Sequence, residues 1–125
     1  MNTKERGDIA VGQAIAYYLG SGYEVCLPVG DKRSYDFVIE KSGKIERVQV
    51  KYAGFYKSKN RCAAGLRITG GNQSYSYAKK YGKNDFEILF VYTERGGKYH
   101  IPWKSVECRN ELAVDSPKYR RYAVV

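Results

Sequence analysis

The chain has 125 residues, with 22 Lys and Arg against 13 Asp and Glu and a net charge of +9. That length bounds it to one domain, residues 1–125, able to bury an ordinary core without staples, and the charge favours a polyanion such as nucleic acid over an acidic or neutral surface. Three cysteines without a CxxC pair and a single histidine exclude a disulfide framework and a His-rich metal centre.

Taken in order, the chain first predicts a helix from Gly7 to Leu19, with Asn2 and Glu5 at capping-box spacing and Gly20-Ser21-Gly22 ending it. Val11, Ala14, Ile15 and Tyr18 form its apolar stripe, and Asp8 sits one turn before Val11 on the same side. Tyr23 to Pro28 reads as a strand, followed by a loop from Val29 to Ser34. Tyr35 to Tyr52 then reads as a β-hairpin reversing at Ser42-Gly43, a register that sets Asp36 opposite Gln49. Period-2 alternation puts Asp36, Gln49 and Lys51 on one face and Tyr35, Phe37, Ile39, Val48, Val50 and Tyr52 on the other. A slip of one residue would separate Asp36 from Gln49.

Beyond the hairpin, residues 54–76 read as a basic arm carrying Lys57, Lys59, Arg61 and Arg67, and Tyr77 to Tyr81 as a short helix. Phe86 to Thr93 is a continuous apolar run of the kind buried on both faces, with Lys98 to Trp103 as its partner across Gly96-Gly97. The order of elements points to an α/β sandwich. Cys26, Cys62 and Cys108 read as small buried hydrophobes and His100 as structural. With no apolar leader and no run of membrane-spanning length, the expected setting is the cytoplasm without a membrane partner.

Asp36, Gln49 and Lys51 carry the chemistry. A carboxylate, an amide oxygen and the Val50 carbonyl are the donor types that a hard divalent cation prefers, and a lysine beside them can orient or deprotonate a water and stabilise charge on a phosphate. The same three residues also admit a plain Asp36–Lys51 salt bridge on a solvated sheet face. Thirteen tyrosines add rings for stacking and hydroxyls for phosphate, although most of them serve strands and core.

The stretches Ser34-Tyr35-Asp36-Phe37-Val38-Ile39 and Arg47-Val48-Gln49-Val50-Lys51-Tyr52 resemble the PD-(D/E)XK nuclease superfamily, in the variant where glutamine replaces the second acid. The likeness runs from Gly7-Asp8-Ile9-Ala10, through Gly22-Tyr23-Glu24-Val25 and Pro28, to Phe90-Val91-Tyr92 and Tyr99-His100-Ile101-Pro102. It is most similar to the small intron-encoded homing endonucleases, and after them to archaeal Holliday-junction resolvases. The resemblance implies an α/β fold with a restriction-endonuclease-like core, a mixed central sheet flanked by helices. It also implies a Mg²⁺- or Mn²⁺-dependent endodeoxyribonuclease in which Asp36 and Gln49 hold the metal, with the Val50 carbonyl as the third ligand that the donor chemistry offers, and Lys51 serves the water.

Cutting both strands of double-stranded DNA requires two sites, so a homo-oligomer, dimer or tetramer, is expected. Candidate DNA contacts are Lys57, Lys59, Arg61, Arg67, Lys79, Lys80 and Lys83, with a second basic cluster at Lys118, Arg120 and Arg121. One departure stands out. Similar sequences place a glutamate on the opening helix where this chain has Val11, leaving Asp8 as the candidate extra acid and pointing to weakened or altered activity. With Asp36 as the main anion, tight metal binding is expected only with DNA present. A resolvase, or a non-catalytic DNA-binding module on a degenerate nuclease fold, remains the alternative.

Overall fold

The computed structural model describes residues 1–30, 32–71, 76–108 and 110–125, and the side chains of these outside residues 68–79. Helix α1 (Thr3–Gly20) begins a turn earlier than the apolar stripe required. Its cap explains why: the Asn2 side chain accepts from the Glu5 N–H at 2.9 Å, satisfying a donor that would otherwise be orphaned. Among the described residues it is the one α-helix; two 3-10 turns, Trp103–Ser105 and Pro117–Tyr122, follow later.

The strands are β1 (Glu24–Cys26), β2 (Phe37–Lys41), β3 (Lys44–Tyr56), β4 (Arg61–Gly65), β5 (Arg67–Gly71), β6 (Ser76–Lys80), β7 (Ile88–Thr93), β8 (Lys98–Pro102), β9 (Glu111–Ala113) and β10 (Ala123–Val124). Eight of them form one mixed sheet in the order β1-β2-β3-β7-β8-β10, with β4 joined to the end of β3 and β9 to β4. The β3–β7 pair is parallel and the other pairs are antiparallel. Separately, β5 and β6 pair as a two-stranded ribbon that sets Arg67 opposite Lys80.

The expected hairpin register is the one observed, with Phe37 opposite Val48 and Lys41 opposite Lys44. Its two-residue turn has φ of 53° at Ser42 and 84° at Gly43, the left-handed pair that matches the twist of flanking strands. Phe37, Ile39 and Val48 are fully buried beneath Ala10, Ala14 and Tyr18 of α1, each contributing about 1.5–3 kcal/mol of apolar burial. On β7, Ile88 and Phe90 join this helix-side core, whereas Leu89 and Val91 face a second core with Ala53, Leu66, Phe86, Ile101, Trp103 and Leu112. The sheet is therefore covered by α1 on one side and by the β4–β9 extension and the 3-10 turns on the other.

Several expectations are corrected. Residues 77–80 belong to strand β6, not to a short helix, because their backbone pairs with β5. Of the segment read as a basic arm, residues 54–71 are largely strand, the end of β3, then β4 and β5, while residues 72–75 lie outside the described residues. Tyr35 leaves the helix-side face and packs against the second core, because β2 begins only at Phe37. Cys26 is exposed while Cys62 is buried. No described helix is long and apolar enough to cross a membrane.

Candidate functional site

The site forms where β2 departs from β3. Asp36 immediately precedes β2, and its N–H donates to the Val48 carbonyl at 2.8 Å. If the ladder continued, Tyr35 would stand opposite Val50 and its carbonyl would take the Val50 N–H. Instead the Asp36 carboxylate takes it, with Val50 N donating to Asp36 Oδ2 at 2.7 Å. A residue in a strand points its N–H and C=O to the same neighbour, so the Val50 carbonyl opens into the same notch.

Gln49 and Lys51 flank Val50 on the opposite face of β3, away from α1, and both are half-buried. The Gln49 amide nitrogen donates to the Tyr81 hydroxyl at 3.2 Å and to the Val50 carbonyl at 3.4 Å. The Lys51 Nζ lies 5.1 Å from the centre of the Tyr81 ring. Among the described residues no ion pair joins Asp36 to Lys51, and neither group lies on a solvated face, so the plain salt-bridge reading does not describe this geometry.

The electrostatics follow from burial. Asp36 is raised above its ordinary 3.8, first by desolvation, with the Val50 hydrogen bond and the Lys51 charge opposing. Lys51 is lowered from its ordinary 10.5, again first by desolvation, with Asp36 opposing. A carboxylate and an ammonium both held against their preferred ionisation, in one half-buried notch, characterise functional sites more than structural ones.

Tyr81 is the site residue that sequence reasoning missed. Its hydroxyl is pushed up to about 12, first by burial and then by the charges of Asp36 and Asp85, so it stays protonated at neutral pH. A cavity of about 490 Å³ beside it is lined by Tyr81, Lys83, Asn84, Trp103, Lys104 and Val106. A larger one of about 680 Å³, near the Ser42 turn, is lined by none of Asp36, Gln49 and Lys51.

The other predicted residues are dispersed. Asp8 is exposed and accepts from Lys4 Nζ at 3.1 Å, while Val11 packs against the helix-side core. Lys57, Lys80 and Lys83 are exposed. Lys59 is paired with Glu111, and Arg67 Nε donates to Asn110 Oδ1 at 3.1 Å. Arg61 is half-buried, and the side chain of Lys79 lies outside the described residues. In the second basic cluster Lys118 is paired with Glu107 and Arg121 donates to the Tyr122 hydroxyl at 3.0 Å. His100 is structural: its Nδ1 lies 2.8 Å from the hydroxyl of the fully buried Tyr18.

Comparison with known proteins gives three findings. A protein-family model described as PD-(D/E)XK endonuclease matches residues 1–121. The chain is 28% identical over 115 residues to Protein 5.3 of Escherichia phage T7, across 91% of this chain and 92% of that protein. Its fold is similar to that of the bacterial homing endonuclease I-Ssp6803I, with a TM-score of 0.85, 28% identity, and coverage of 98% of this chain and 89% of the other.

Proposed function

The chain belongs to the PD-(D/E)XK endonuclease family, and from that premise we propose a divalent-metal-dependent, sequence-specific endodeoxyribonuclease of the homing type. The observation that carries the reading is the notch itself, where Asp36, Val50, Gln49 and Lys51 meet at the one point where β2 abandons β3. The donor set fits a hard cation such as Mg²⁺ or Mn²⁺: a carboxylate, a main-chain carbonyl and an amide oxygen, with neither thiolate nor imidazole among them. When bound, such an ion polarises the scissile phosphate and acidifies a water.

The protein's own groups do the rest. Asp36 supplies the negative charge of the site and is fixed by the Val50 N–H. Lys51, desolvated and without an ion-pair partner among the described residues, is available to orient or deprotonate the attacking water and to meet the charge that develops on phosphate. With Asp8 engaged by Lys4 and Val11 apolar, Asp36 is the principal acid. The metal site is therefore completed by substrate phosphate, and calorimetry should find weak Mg²⁺ binding without DNA.

The β5–β6 ribbon is the best candidate for reading sequence, since a two-stranded ribbon fits a major groove. Arg67 opposite Lys80 places like charges together, which weakens an isolated ribbon and suits one that meets phosphates. Lys57 and Lys83 are further exposed cations available to phosphate. Cutting both strands calls for a symmetric homo-oligomer.

The test is incubation with Mg²⁺ and supercoiled, linear and four-way-junction DNA, beside Asp36→Ala. Discrete cuts in linear duplex, absent from the variant, are expected. Symmetric nicks confined to junctions would make the protein a resolvase, and salt-sensitive binding without any cutting would make it a binding module.

A further inference from the structure

An amide differs from a carboxylate in having only one oxygen, so a glutamine can serve a cation only if something decides which end faces it. Here both acceptors lie on the nitrogen side: the Tyr81 hydroxyl at 3.2 Å and the Val50 carbonyl at 3.4 Å. In this arrangement the nitrogen, not the oxygen, faces the Val50 carbonyl, so a cation held by that carbonyl requires the Val50 contact to yield. The Val50 contact is local and long, which leaves the Tyr81 hydroxyl as the better-placed anchor.

That hydroxyl is itself held firmly. The Tyr81 ring packs edge-on against Phe86, with centroids 5.2 Å apart, and against Trp103 at 6.2 Å. Trp103 is pinned in turn by its Nε1 donating to the Gly82 carbonyl at 3.1 Å. The same ring underlies the Lys51 ammonium, a contact that stabilises its charged form against the burial that opposes it. One side chain thus touches both residues that flank Val50.

We propose that Tyr81 is a positioning residue of this nuclease, whose hydroxyl keeps hold of the Gln49 nitrogen when the Val50 carbonyl takes the cation, leaving the amide oxygen to serve as a ligand. This role rests on the nuclease reading and deepens it: the glutamine works as a metal ligand because a tyrosine hydroxyl accepts from its nitrogen. A carboxylate at position 49 has two equivalent oxygens and needs no such partner.

Four proteins test it: wild type, Tyr81→Phe, Gln49→Glu and the double variant. Phenylalanine keeps the ring beneath Lys51 and beside Phe86 and Trp103, so only the hydroxyl is lost. Mn²⁺ binding in the presence of duplex DNA, read from the electron paramagnetic resonance signal of free ion, should weaken about five- to tenfold on Tyr81→Phe, the worth of one hydrogen bond. In the Gln49→Glu background the same change should weaken it less than about twofold. The Mg²⁺ concentration for half-maximal cleavage should move in parallel, with the thermal midpoint nearly unchanged.

Unaltered Mn²⁺ affinity in Tyr81→Phe, or an equal loss in both backgrounds, would overturn the role while leaving a wild type that binds and cuts. A wild type that neither binds Mn²⁺ with DNA nor cuts would overturn the nuclease reading, and this role with it.

Discussion

Replacing Asp36 by asparagine and by alanine separates two things the carboxylate does. Asparagine keeps an oxygen for the Val50 N–H, which donates at 2.7 Å, and removes the charge; alanine removes both. Burial is the largest influence on Asp36 and raises its pKa, so the folded state holds the proton more tightly than the unfolded chain. Stability attached to this group is therefore gained as pH falls through the raised folded value towards the ordinary 3.8, and at neutral pH the ionised group destabilises the fold. Asp36→Asn should melt above wild type at pH 7 while losing cleavage, a trade seen where function requires a strained charge. The Asn and Ala variants should then differ by the Val50 hydrogen bond and the exposure of its N–H, about 1–2 kcal/mol. With an unfolding entropy of about 2.1 cal/mol/K per residue, that is a gap of about 4–8 °C in melting temperature. Differential scanning calorimetry of the three proteins at pH 7 and pH 4.5, beside a cleavage assay, reads all of it. An asparagine variant less stable than wild type at pH 7 would refute the burial argument, and equal melting of the two variants would refute the role given to the Val50 contact.

Other expectations follow from the same geometry. Lys51→Met keeps an apolar stem over the Tyr81 ring and should cut about 10²–10⁴ times more slowly without a fall in melting temperature; near-normal single-turnover rates would remove Lys51 from the chemistry. Val11→Glu supplies an acid on the helix at the position where the resemblance leads one to expect it. It should lower the Mg²⁺ needed for half-maximal cleavage at about 1 kcal/mol of stability, since Val11 packs on the core, and an unchanged Mg²⁺ requirement would count against that position facing the metal. Tyr18→Phe leaves His100 Nδ1 without its 2.8 Å partner and should cost about 1–3 kcal/mol in thermal unfolding. His100 is lowered from 6.5, first by burial, so its share of stability is lost as pH falls through the ordinary value of the unfolded chain. Histidine titration followed by NMR should find it below 6.5, and a higher value would reverse that sign.

The hairpin was legible because Ser42-Gly43 is the single turn cluster between two β-rich runs, and its positive φ values leave little choice of register. Alternation then placed Gln49 and Lys51 correctly. It failed at Tyr35 because alternation assumes a continuing strand, and a side chain that takes over a ladder hydrogen bond, as Asp36 does, leaves no periodic signature. The helix start lay a turn earlier because polar residues at its exposed N-terminal end add nothing to an apolar stripe. Residues 77–80 carry neither helix nor strand period, so only their partner β5 decides their state. Tyr81 was hidden for a different reason: it lies 32 residues from Gln49, among thirteen tyrosines of which nothing local distinguishes it. The missing acid of the helix remains the chain's departure from its resemblance, since Asp8 faces Lys4 and Val11 faces the core.

The parallel pairing of β3 with β7 also bears on when the notch is complete. Every pair in that ladder joins residues 40 apart in sequence, as Arg47 and Glu87 are. The β2–β3 hairpin closes locally and early, whereas the crossover must fold back before β7 can dock, and such long-range closures are slow. Tyr81 arrives only with that crossover. Gln49 and Lys51 therefore gain the ring beneath them only when the 40-residue closure is made, so the notch is completed with the parallel ladder rather than with the hairpin.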